Sequence, residues 1–267
     1  MFFSGSVCIV CRTMQQQAKK EKTQPPDTKT APLALAVETS GREGSAAIGI
    51  DDNILVESPF SGRLRHSAEL FPAVVRILEG LGRKPRDIRQ VYLPSGPGSF
   101  TGLRIAVTFG KMLHFATSAD IVAVNTLDVL AENASEYIEN TGIDADRIAA
   151  ILDAKRNLFY IALFERSGSG WRRLTEDMLI SAEKFLEQLP KTEPTWLLGE
   201  GLLYHSKAFL SPHTKLLEPE YWPARARCVY RLARTFARKN SFADPVAITP
   251  TYIRKPDVLL SPDEPGL

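Results

Sequence analysis

The chain has 267 residues, of which 44% are hydrophobic, 9% aromatic and 24% charged, and its formal net charge is +2 at pH 7. A chain of this length can bury a core in one large domain or in two modest ones. The near-average composition excludes a disordered chain, a collagen-like fibre and a small disulfide scaffold. The apolar runs are too short for a membrane span, which needs roughly 18–20 residues. The charge balance neither requires nor excludes a nucleic-acid partner.

The cysteines favour a reducing compartment. Their number, three, is odd, which argues against a disulfide framework and makes the cytoplasm the simplest location. Cys8 and Cys11 form a C-x-x-C pair, but no second Cys or His pair follows at zinc spacing. We therefore expect no zinc or iron site, and we interpret Cys228 as a small buried hydrophobic residue.

Residues 1–32 differ from the rest of the chain. Gln15–Pro32 is polar, contains Lys and Pro, and has no apolar period, which is typical of disorder. The apolar stretch before it precedes the basic residues, which is the reverse of a signal peptide. We expect a disordered extension over 1–32 and a folded protein from Leu33 onward, with Met14 as an alternative start to Met1.

Hydrophobic periodicity predicts an α/β protein whose first half, residues 33–140, has the order strand, strand, strand, helix, strand, helix, strand, helix. The three initial strands are short and joined by tight turns, so we expect them to pair antiparallel. The predicted elements are strands from Leu33 and at Ser45–Ile50 and Ile54–Ser58, a helix at Ser67–Leu81, a strand at Val91–Leu93, a helix at Gly102–Thr117, a strand at Ile121–Val124 and a helix at Leu127–Tyr137.

The second half, residues 141–267, repeats this order after a polar boundary near Asn140–Asp146. Ser181 is the predicted N-cap of its first helix. Two such halves imply two α/β lobes with a crevice between them, where ligands usually bind. The predicted elements are strands at Arg147–Leu152, Leu158–Phe164 and Trp171–Leu179, a helix at Ala182–Leu189, a strand at Trp196–Leu198, a short helix near Leu202–Leu210, a strand at Lys215–Leu217 and a helix at Ala224–Lys239.

The strongest local signal is the glycine-rich run Ser95–Arg104, between a strand and a helix. Its glycines let the backbone turn tightly and approach another group closely. Ser99 and Thr101 can cap the following helix, whose free N–H groups form an anion site. The spacing fits neither the dinucleotide fingerprint nor a P-loop nor a nucleophile elbow. Anion binding and a purely structural turn therefore both remain as interpretations.

Three further features each allow two interpretations. Glu38 ends the first strand. It is either a polar strand end or a carboxylate that holds a hydrated Mg²⁺ beside a nucleotide. His66 is a helix-start residue or a base oriented by Glu69. The last helix has a row of arginines on one face, which is either a solvated face or a stripe that contacts nucleic-acid phosphates. The row consists of Arg227, Arg231, Arg234 and Arg238.

Several segments together resemble the TsaB (YeaZ) family. They are LALAVETS, RHSAELFPAVVRIL, GPGSFTGLRIAVTFGKML, AVNTLDVLA, ILDAKRNLFYIALFE and PTYIRKPD, and they span Leu33 to Asp257. The resemblance implies the two-lobed actin-like ATPase (ribonuclease-H-like) fold, in agreement with the repeated element order. It also implies a role in tRNA modification, as a non-catalytic partner or scaffold subunit. That subunit binds and activates the TsaD-type transferase, which adds a threonylcarbamoyl group to adenosine of tRNA, together with a TsaE-type ATPase.

The resemblance further implies where partners and ligands bind. The helices Ser67–Leu81 and Gly102–Thr117 are apolar over more than one stripe and resemble the family surface that pairs with TsaD. Without the transferase, the same surface would form a homodimer, and tRNA would be contacted through the complex. The expected interface residues are Leu70, Val74, Leu78, Leu103, Phe109, Met112 and Leu113. The expected nucleotide or anion loop comprises Thr39, Ser40, Gly96, Gly98, Ser99, Thr101 and Gly102.

Two departures from catalytic relatives indicate that this chain has no activity alone. TsaD-type proteins carry an H-x-x-x-H metal pair on one helix face, where this chain has Thr126 and Leu130. Leu cannot ligate a metal, and Thr is a poor ligand. The second phosphate loop of actin-like ATPases is small and glycine-rich, whereas Asp153–Asn157 contains the bulky Lys155 and Arg156. We expect ATP hydrolysis to be lost, and weak ATP or ADP binding stays open.

A second hypothesis is a divergent enzyme of the actin-like fold, either a small-molecule kinase or a glycoprotease-type peptidase. A peptidase needs metal ligands or a nucleophile–base pair, and the sequence offers neither. A kinase needs two phosphate loops, of which one is credible here. We therefore prefer the partner role.

Overall fold

A computed structural model describes residues 30–60, 65–168 and 170–253. The predicted disordered extension up to residue 29, the Cys8–Cys11 pair and the end of the PTYIRKPD segment lie outside the described residues. Within the described part, the chain forms strands and helices in an alternating order that closely follows the predicted one. No helix in this part is both long and apolar enough to span a bilayer.

The bounds of these elements are as follows. The strands are β1 (Leu33–Glu38), β2 (Ser45–Ile50), β3 (Asn53–Pro59), β4 (Ile88–Gly96), β5 (Asp120–Asn125), β6 (Arg147–Asp153), β7 (Phe159–Ser167), β8 (Gly170–Arg173), β9 (Met178–Ile180), β10 (Thr195–Leu198) and β11 (Thr214–Leu216). The helices are α1 (His66–Gly80), α2 (Phe100–Thr117), α3 (Thr126–Thr141), α4 (Ala182–Gln188) and α5 (Ala226–Ala237). Short 3₁₀ turns lie at Pro85–Asp87, Glu200–Leu202, Ser206–Phe209 and Pro219–Tyr221.

The first sheet has the strand order β3-β2-β1-β4-β5. β1 pairs antiparallel with β2, as β2 does with β3, so the predicted antiparallel pairing is confirmed. On its other side β1 pairs parallel with β4, and β4 pairs parallel with β5. Every residue of β1 is buried, as expected for a central strand that is covered on both faces. The helix α2 provides the crossover that the parallel pair β4–β5 requires.

The second sheet repeats this arrangement in the order β8-β7-β6-β10-β11. β6 is the central strand, antiparallel to β7 and parallel to β10. The single third strand predicted at Trp171–Leu179 is instead two short strands, β8 and β9, which both pair with β7. The short helix predicted near Leu202–Leu210 is two separate 3₁₀ turns. The predicted repeat of element order thus corresponds to a repeat of strand order.

Local capping rules located the N-caps of two helices, although α2 begins at Phe100 instead of the predicted Gly102, and Thr101 lies inside its first turn and not at the cap. Ser99 precedes α2, and its Oγ accepts a hydrogen bond from the amide of Gly102 at 3.2 Å. Ser181 precedes α4, and its Oγ accepts from the amide of Lys184 at 3.4 Å. A capping side chain satisfies one of the helix-start donors that have no intrahelical acceptor. Both predictions followed from residue type and position alone.

Two helices connect the halves. α3 follows the first sheet yet also packs against β6 and β8 of the second, and α5 follows the second sheet yet packs against β1, β2, β4 and β5 of the first. The Tyr230 ring on α5 lies 5.4 Å from the Tyr92 ring of β4, and its hydroxyl donates to the carbonyl of Asp51 at 3.0 Å. The last helix therefore does not complete the C-terminal lobe to which 141–267 was assigned, because its buried side chains cover the first sheet. The boundary near residue 140 stays a prediction.

Candidate functional site

The glycine-rich run after β4 lies directly against the end of β1. The Thr39 hydroxyl donates to the carbonyl of Gly102 at 2.8 Å, and the amide of Ser99 donates to the carbonyl of Ser40 at 2.7 Å. A Cβ at Gly102 would lie 1.8 Å from the Thr39 carbonyl oxygen, and one at Gly98 would lie 2.7 Å from that of Ser40. Both positions therefore require glycine, because the two backbone segments approach too closely for a side chain.

Six of the seven predicted loop residues, all except Thr101, thus lie close together. Gly96 adjoins the same loop with a φ of +113°, a conformation that favours glycine. Thr101 is exposed on the first turn of α2 and lines a groove on the helix face. The contacts give the structural interpretation of the loop a physical reason, whereas anion binding stays a prediction.

Glu38 is fully buried at the end of β1. Its Oε1 accepts from the Ser40 amide at 2.5 Å and from the Ser40 hydroxyl at 2.6 Å, and its Oε2 has no hydrogen-bond partner among the described residues. Burial raises the pKa of this carboxyl from 4.5 to about 7; the Ser40 hydrogen bonds act in the opposite direction, and the charge of Glu200 raises it further. The Mg²⁺ interpretation of Glu38 stays a prediction.

A crevice cavity of about 390 Å³ opens where the two sheets meet. The first half contributes Ser40–Arg42 and Gly98–Phe100, and the second half contributes residues from the end of β6, the start of β7, the turn between them and the segment after β10. The second-half lining consists of Leu152, Asp153, Ala154, Lys155, Tyr160, Glu200, Tyr204 and His205. The crevice predicted from the two like halves is therefore present.

Glu200 joins the two sides of this crevice and is not among the predicted site residues. Its Oε2 accepts from the amide of Arg42 at 2.7 Å, and burial raises its pKa. Gly199, with a φ of +118°, brings the chain so close to β6 that a Cβ there would lie 2.1 Å from the carbonyl oxygen of Ile151. The Gly-Glu-Gly triplet after β10 was the available signal, because a glycine on each side of a carboxylate indicates a tight backbone approach.

The turn between β6 and β7 carries the two bulky cations of the predicted second phosphate loop. The Lys155 Nζ lies 2.6 Å from Asp153 Oδ2, and its amide donates to Asp153 Oδ1 at 2.7 Å. Lys155 lines the cavity, and Lys155, Arg156 and Asn157 all adopt positive φ. On the other wall, the Arg42 guanidinium lies 5.1 Å from the centre of the Tyr204 ring. A phosphate oxygen that reached Lys155 would compete with Asp153 for its ammonium group, and weak nucleotide binding in the crevice stays a prediction.

The positions that correspond to the metal-binding histidines lie at the start of α3. Thr126 and Leu130 are both buried, and Leu130 belongs to the hydrophobic core. Among the described residues, no three His, Cys, Asp or Glu side chains are grouped closely enough to hold a metal ion. His66 begins α1, and its Nε2 lies 2.9 Å from the carbonyl oxygen of Gly41, so this imidazole contacts the same loop as Glu200.

The predicted interface residues require a correction. The structure buries six of the seven within the first half, and Met112, with 43% of its surface exposed, is the one member of the set whose side chain is exposed. The helical spacing was right, but the stripe chosen as the outer surface is the one that covers the sheet. The buried six are Leu70, Val74, Leu78, Leu103, Phe109 and Leu113.

An exposed apolar face does exist on α1 and α2, and it shares only Met112 with the predicted set. We call it the helix face, and its members are Phe71, Val75, Phe100, Met112 and Phe115. A groove of about 390 Å³ runs between the two helices. Beneath it, the Phe71 ring meets the buried Phe109 ring edge-on at 5.1 Å. Exposed apolar patches of this kind commonly mark interaction surfaces. The groove is lined by Ser67, Leu70, Phe71, Phe100, Thr101, Arg104, Ile105, Thr108, Phe109 and Met112.

The arginine row on α5 is compensated by acidic side chains from the β2–β3 turn, β3 and α3. The pairs are Arg227 with Glu57 and Glu136, Arg231 with Glu136, Arg234 with Asp51 and Asp52, and Arg238 with Asp52. These ion pairs connect α5 to the first half, which gives the row a structural role. Contact with tRNA at these residues stays a prediction.

Comparisons with known proteins agree with this architecture. A family model described as TsaD, tRNA N6-adenosine threonylcarbamoyltransferase, matches residues 59–218. The tRNA threonylcarbamoyladenosine biosynthesis protein TsaB of Bacillus subtilis (strain 168) is 29% identical over 174 residues, which cover 65% of this chain and 73% of that protein. TsaB of Escherichia coli (strain K12) is 27% identical over 169 residues, which cover 62% and 71%. The structure of YeaZ from Pseudomonas aeruginosa superposes with a TM-score of 0.70 at 22% identity and covers 83% of this chain and all of YeaZ.

Two sheets of like strand order that meet at a crevice define the actin-like ATPase fold, and the YeaZ superposition shows the same fold. The family model covers more than half of the chain. The chain therefore belongs to the TsaD-related protein family and, by its curated relatives, to the TsaB (YeaZ) group within it, as the sequence motifs predicted.

Proposed function

We propose that this chain is a non-catalytic partner subunit that docks on and activates a TsaD-type transferase through the helix face. Its family membership gives it a role in tRNA threonylcarbamoyladenosine biosynthesis. The observation that carries the finer proposal is the exposed apolar face on α1 and α2, with the groove between the two helices. Monomeric proteins expose apolar patches of only modest size. Covering such a patch with a partner removes apolar surface from water, which favours association.

The proposal extends to the rest of the assembly. A TsaE-type ATPase would act with the transferase, tRNA would be bound by the complex, and two copies of this chain would cover each other's helix face when the transferase is absent. The crevice would hold ATP or ADP weakly at most, because Lys155 and Arg42 already contact Asp153 and Tyr204. The buried Thr126 and Leu130 support the absence of catalysis by this chain, since they cannot replace a pair of metal-binding imidazoles.

The decisive experiment is reconstitution. This chain and the TsaD-type protein of the same source are purified separately, and threonylcarbamoyl transfer to tRNA is measured for each protein, for the pair, and for the pair with the TsaE-type ATPase. We expect transfer only when both this chain and the transferase are present. Zinc- or ATP-dependent turnover by this chain alone would contradict the proposal and support the divergent-enzyme hypothesis.

The docking surface is tested with exposed residues, because substitution of buried Phe109 or Val74 would test stability instead. Met112→Glu and Val75→Glu are expected to weaken association with the transferase by about tenfold or more, since each places a charge in an apolar contact. Leu210→Glu is the matched control, because Leu210 is an exposed apolar residue outside the helix face. Affinity for the transferase is measured by calorimetry. If all three variants bind it equally well, the helix face is not the docking surface.

A further inference from the structure

The described part of the C-terminal segment runs back along the first half of the molecule. We call residues 241–253 the strap. The amide of Ala243 donates to the carbonyl of Ile121 on the outer edge of β5 at 2.8 Å, and the Lys111 Nζ on α2 donates to the carbonyl of Val246 at 2.9 Å. The strap thus follows α2 and ends beside the glycine-rich loop.

The end of the strap is fixed to this loop by backbone contacts. The amide of Thr251 donates to the carbonyl of Ser95 at 2.7 Å. The carbonyl oxygen of Thr251 approaches Gly96 so closely that a Cβ there would lie 2.7 Å from it. Only glycine, which has no side chain, fits this close approach. The positive φ of Gly96 is a second reason for glycine, because other residues rarely adopt that conformation.

The next residue, Tyr252, packs on Phe100. The two ring centres are 5.0 Å apart, with an angle of 33° between the planes. Each ring keeps about two fifths of its surface exposed, 39% for Tyr252 and 40% for Phe100. The guanidinium of Arg104 lies 5.1 Å from the centre of the Phe100 ring. Phe100 therefore has two neighbours, Tyr252 and Arg104, that restrict its ring.

Phe100 stands at the junction of the two candidate sites. It is the first residue of α2, and its side chain lines both the crevice cavity and the groove of the helix face. A displaced Phe100 ring would change the shape of the groove wall. The position of this ring is consequently important to any partner that docks there.

We propose that Tyr252 is a positioning residue, which holds Phe100 in place as a wall of the docking groove, so that the strap forms part of the partner-binding surface. This inference rests on the proposed function of the helix face. Without the Tyr252 ring, Phe100 gains rotamer freedom in the free chain, and that freedom is lost when a partner docks. Affinity falls although Tyr252 need not touch the partner.

The first measurement does not involve the transferase. Hydrogen exchange is followed at the amides of the first turn of α2 in the full chain, for the wild type, Tyr252→Ala and Tyr252→Phe. We expect faster exchange at Gly102, Leu103 and Arg104 in the alanine variant and wild-type rates in the phenylalanine variant, because the ring contact does not need the hydroxyl. Unchanged exchange in Tyr252→Ala would overturn the inference.

The second measurement is a double-mutant cycle on the dissociation constant for the TsaD-type transferase, with Tyr252→Ala and Phe100→Ala. We expect Tyr252→Ala to weaken association by about fivefold, within the range of ordinary interface truncations, and Tyr252→Phe to restore it. Because Tyr252 acts through Phe100, the double variant should bind about as weakly as Phe100→Ala alone. Independent, multiplicative losses would overturn the inference.

The two measurements separate the two proposals. If the wild-type chain does not bind the transferase while Tyr252→Ala still accelerates exchange in α2, the proposed docking function fails and the positioning role of Tyr252 stands. If binding is normal and insensitive to Tyr252→Ala, the docking function stands and the inference about the strap is wrong. Leu210→Ala serves as the control for loss of an exposed apolar side chain elsewhere.

Discussion

Replacing Glu38 by glutamine is expected to remove a pH-dependent loss of stability. The carboxyl has a pKa of about 7 in the folded chain against an ordinary value of 4.5, chiefly because it is buried. Below pH 4.5 both the folded and the unfolded chain keep the proton. Between pH 4.5 and 7 the unfolded chain releases it first, so the free energy of unfolding falls as the pH rises, and above pH 7 the loss is complete.

The magnitude follows from the pKa difference. Ionising the buried Glu38 costs the folded state on the order of 3 kcal/mol, which is a large share of the roughly 5–15 kcal/mol by which domains are stable. A glutamine at this position carries no charge, and its carbonyl oxygen can still accept from the Ser40 amide and hydroxyl. The variant should therefore gain stability relative to the wild type as the pH rises from 5 to 8.

Urea unfolding at pH 5, 6, 7 and 8 measures this difference. Asp87→Asn is the matched control: hydrogen bonds from the Lys84 amide and the Arg83 side chain lower the pKa of Asp87 below 3.8. The stabilising effect of the Asp87 carboxylate is lost only in more acidic solution. The difference in free energy of unfolding between Asp87→Asn and the wild type should therefore stay constant over this range. If the difference in free energy of unfolding between Glu38→Gln and the wild type is also constant from pH 5 to 8, then ionisation of Glu38 does not destabilise the folded state, and the argument from burial is refuted.

Three further outcomes are expected. Gly102→Ala should lower the free energy of unfolding by about 3 kcal/mol, measured by denaturant titration, because its Cβ would overlap the Thr39 carbonyl oxygen; a wild-type midpoint would contradict this. Arg227→Ala should cost about 1–2 kcal/mol, since it removes the guanidinium that pairs with the partly buried carboxylates of Glu57 and Glu136, whereas the more exposed Arg238→Ala should cost about 0.5 kcal/mol or less; equal effects would argue against an anchoring role for Arg227. Calorimetry with Mg-ADP should give a dissociation constant weaker than about 0.1 mM, and micromolar binding would mean that Lys155 leaves Asp153 for the phosphates.

Local features of this chain were readable from sequence because their causes are local. The apolar run that forms β1 predicts a strand buried on both faces, and Ser99 and Ser181 predict helix starts through their capping hydroxyls. The repeated order of elements was sufficient for the two like sheets, since short connections leave few ways to pair the strands.

Features that depend on distant contacts were missed or misplaced. The helices α1 and α2 are apolar on more than one stripe, and periodicity does not say which stripe covers the sheet, so Phe109 was taken as exposed and Phe71 overlooked. The attachment of α5 to the first sheet depends on Tyr230 meeting Tyr92 and on ion pairs that join distant segments. Glu200 contacts Arg42 across 158 positions of sequence, and no pattern in a single sequence relates the two.

The position of α5 has a consequence for the order in which the chain can fold during synthesis. The first sheet is complete in sequence by Asn125, but one of its faces is covered by a helix that begins only at Ala226. A ribosome that has finished the first half therefore holds a sheet with an uncovered apolar face, and α5 must emerge before that face is sealed. Because translation proceeds at roughly 5–20 residues per second, this interval lasts about 5–20 s, during which the nascent chain is open to chaperones and to incorrect pairing.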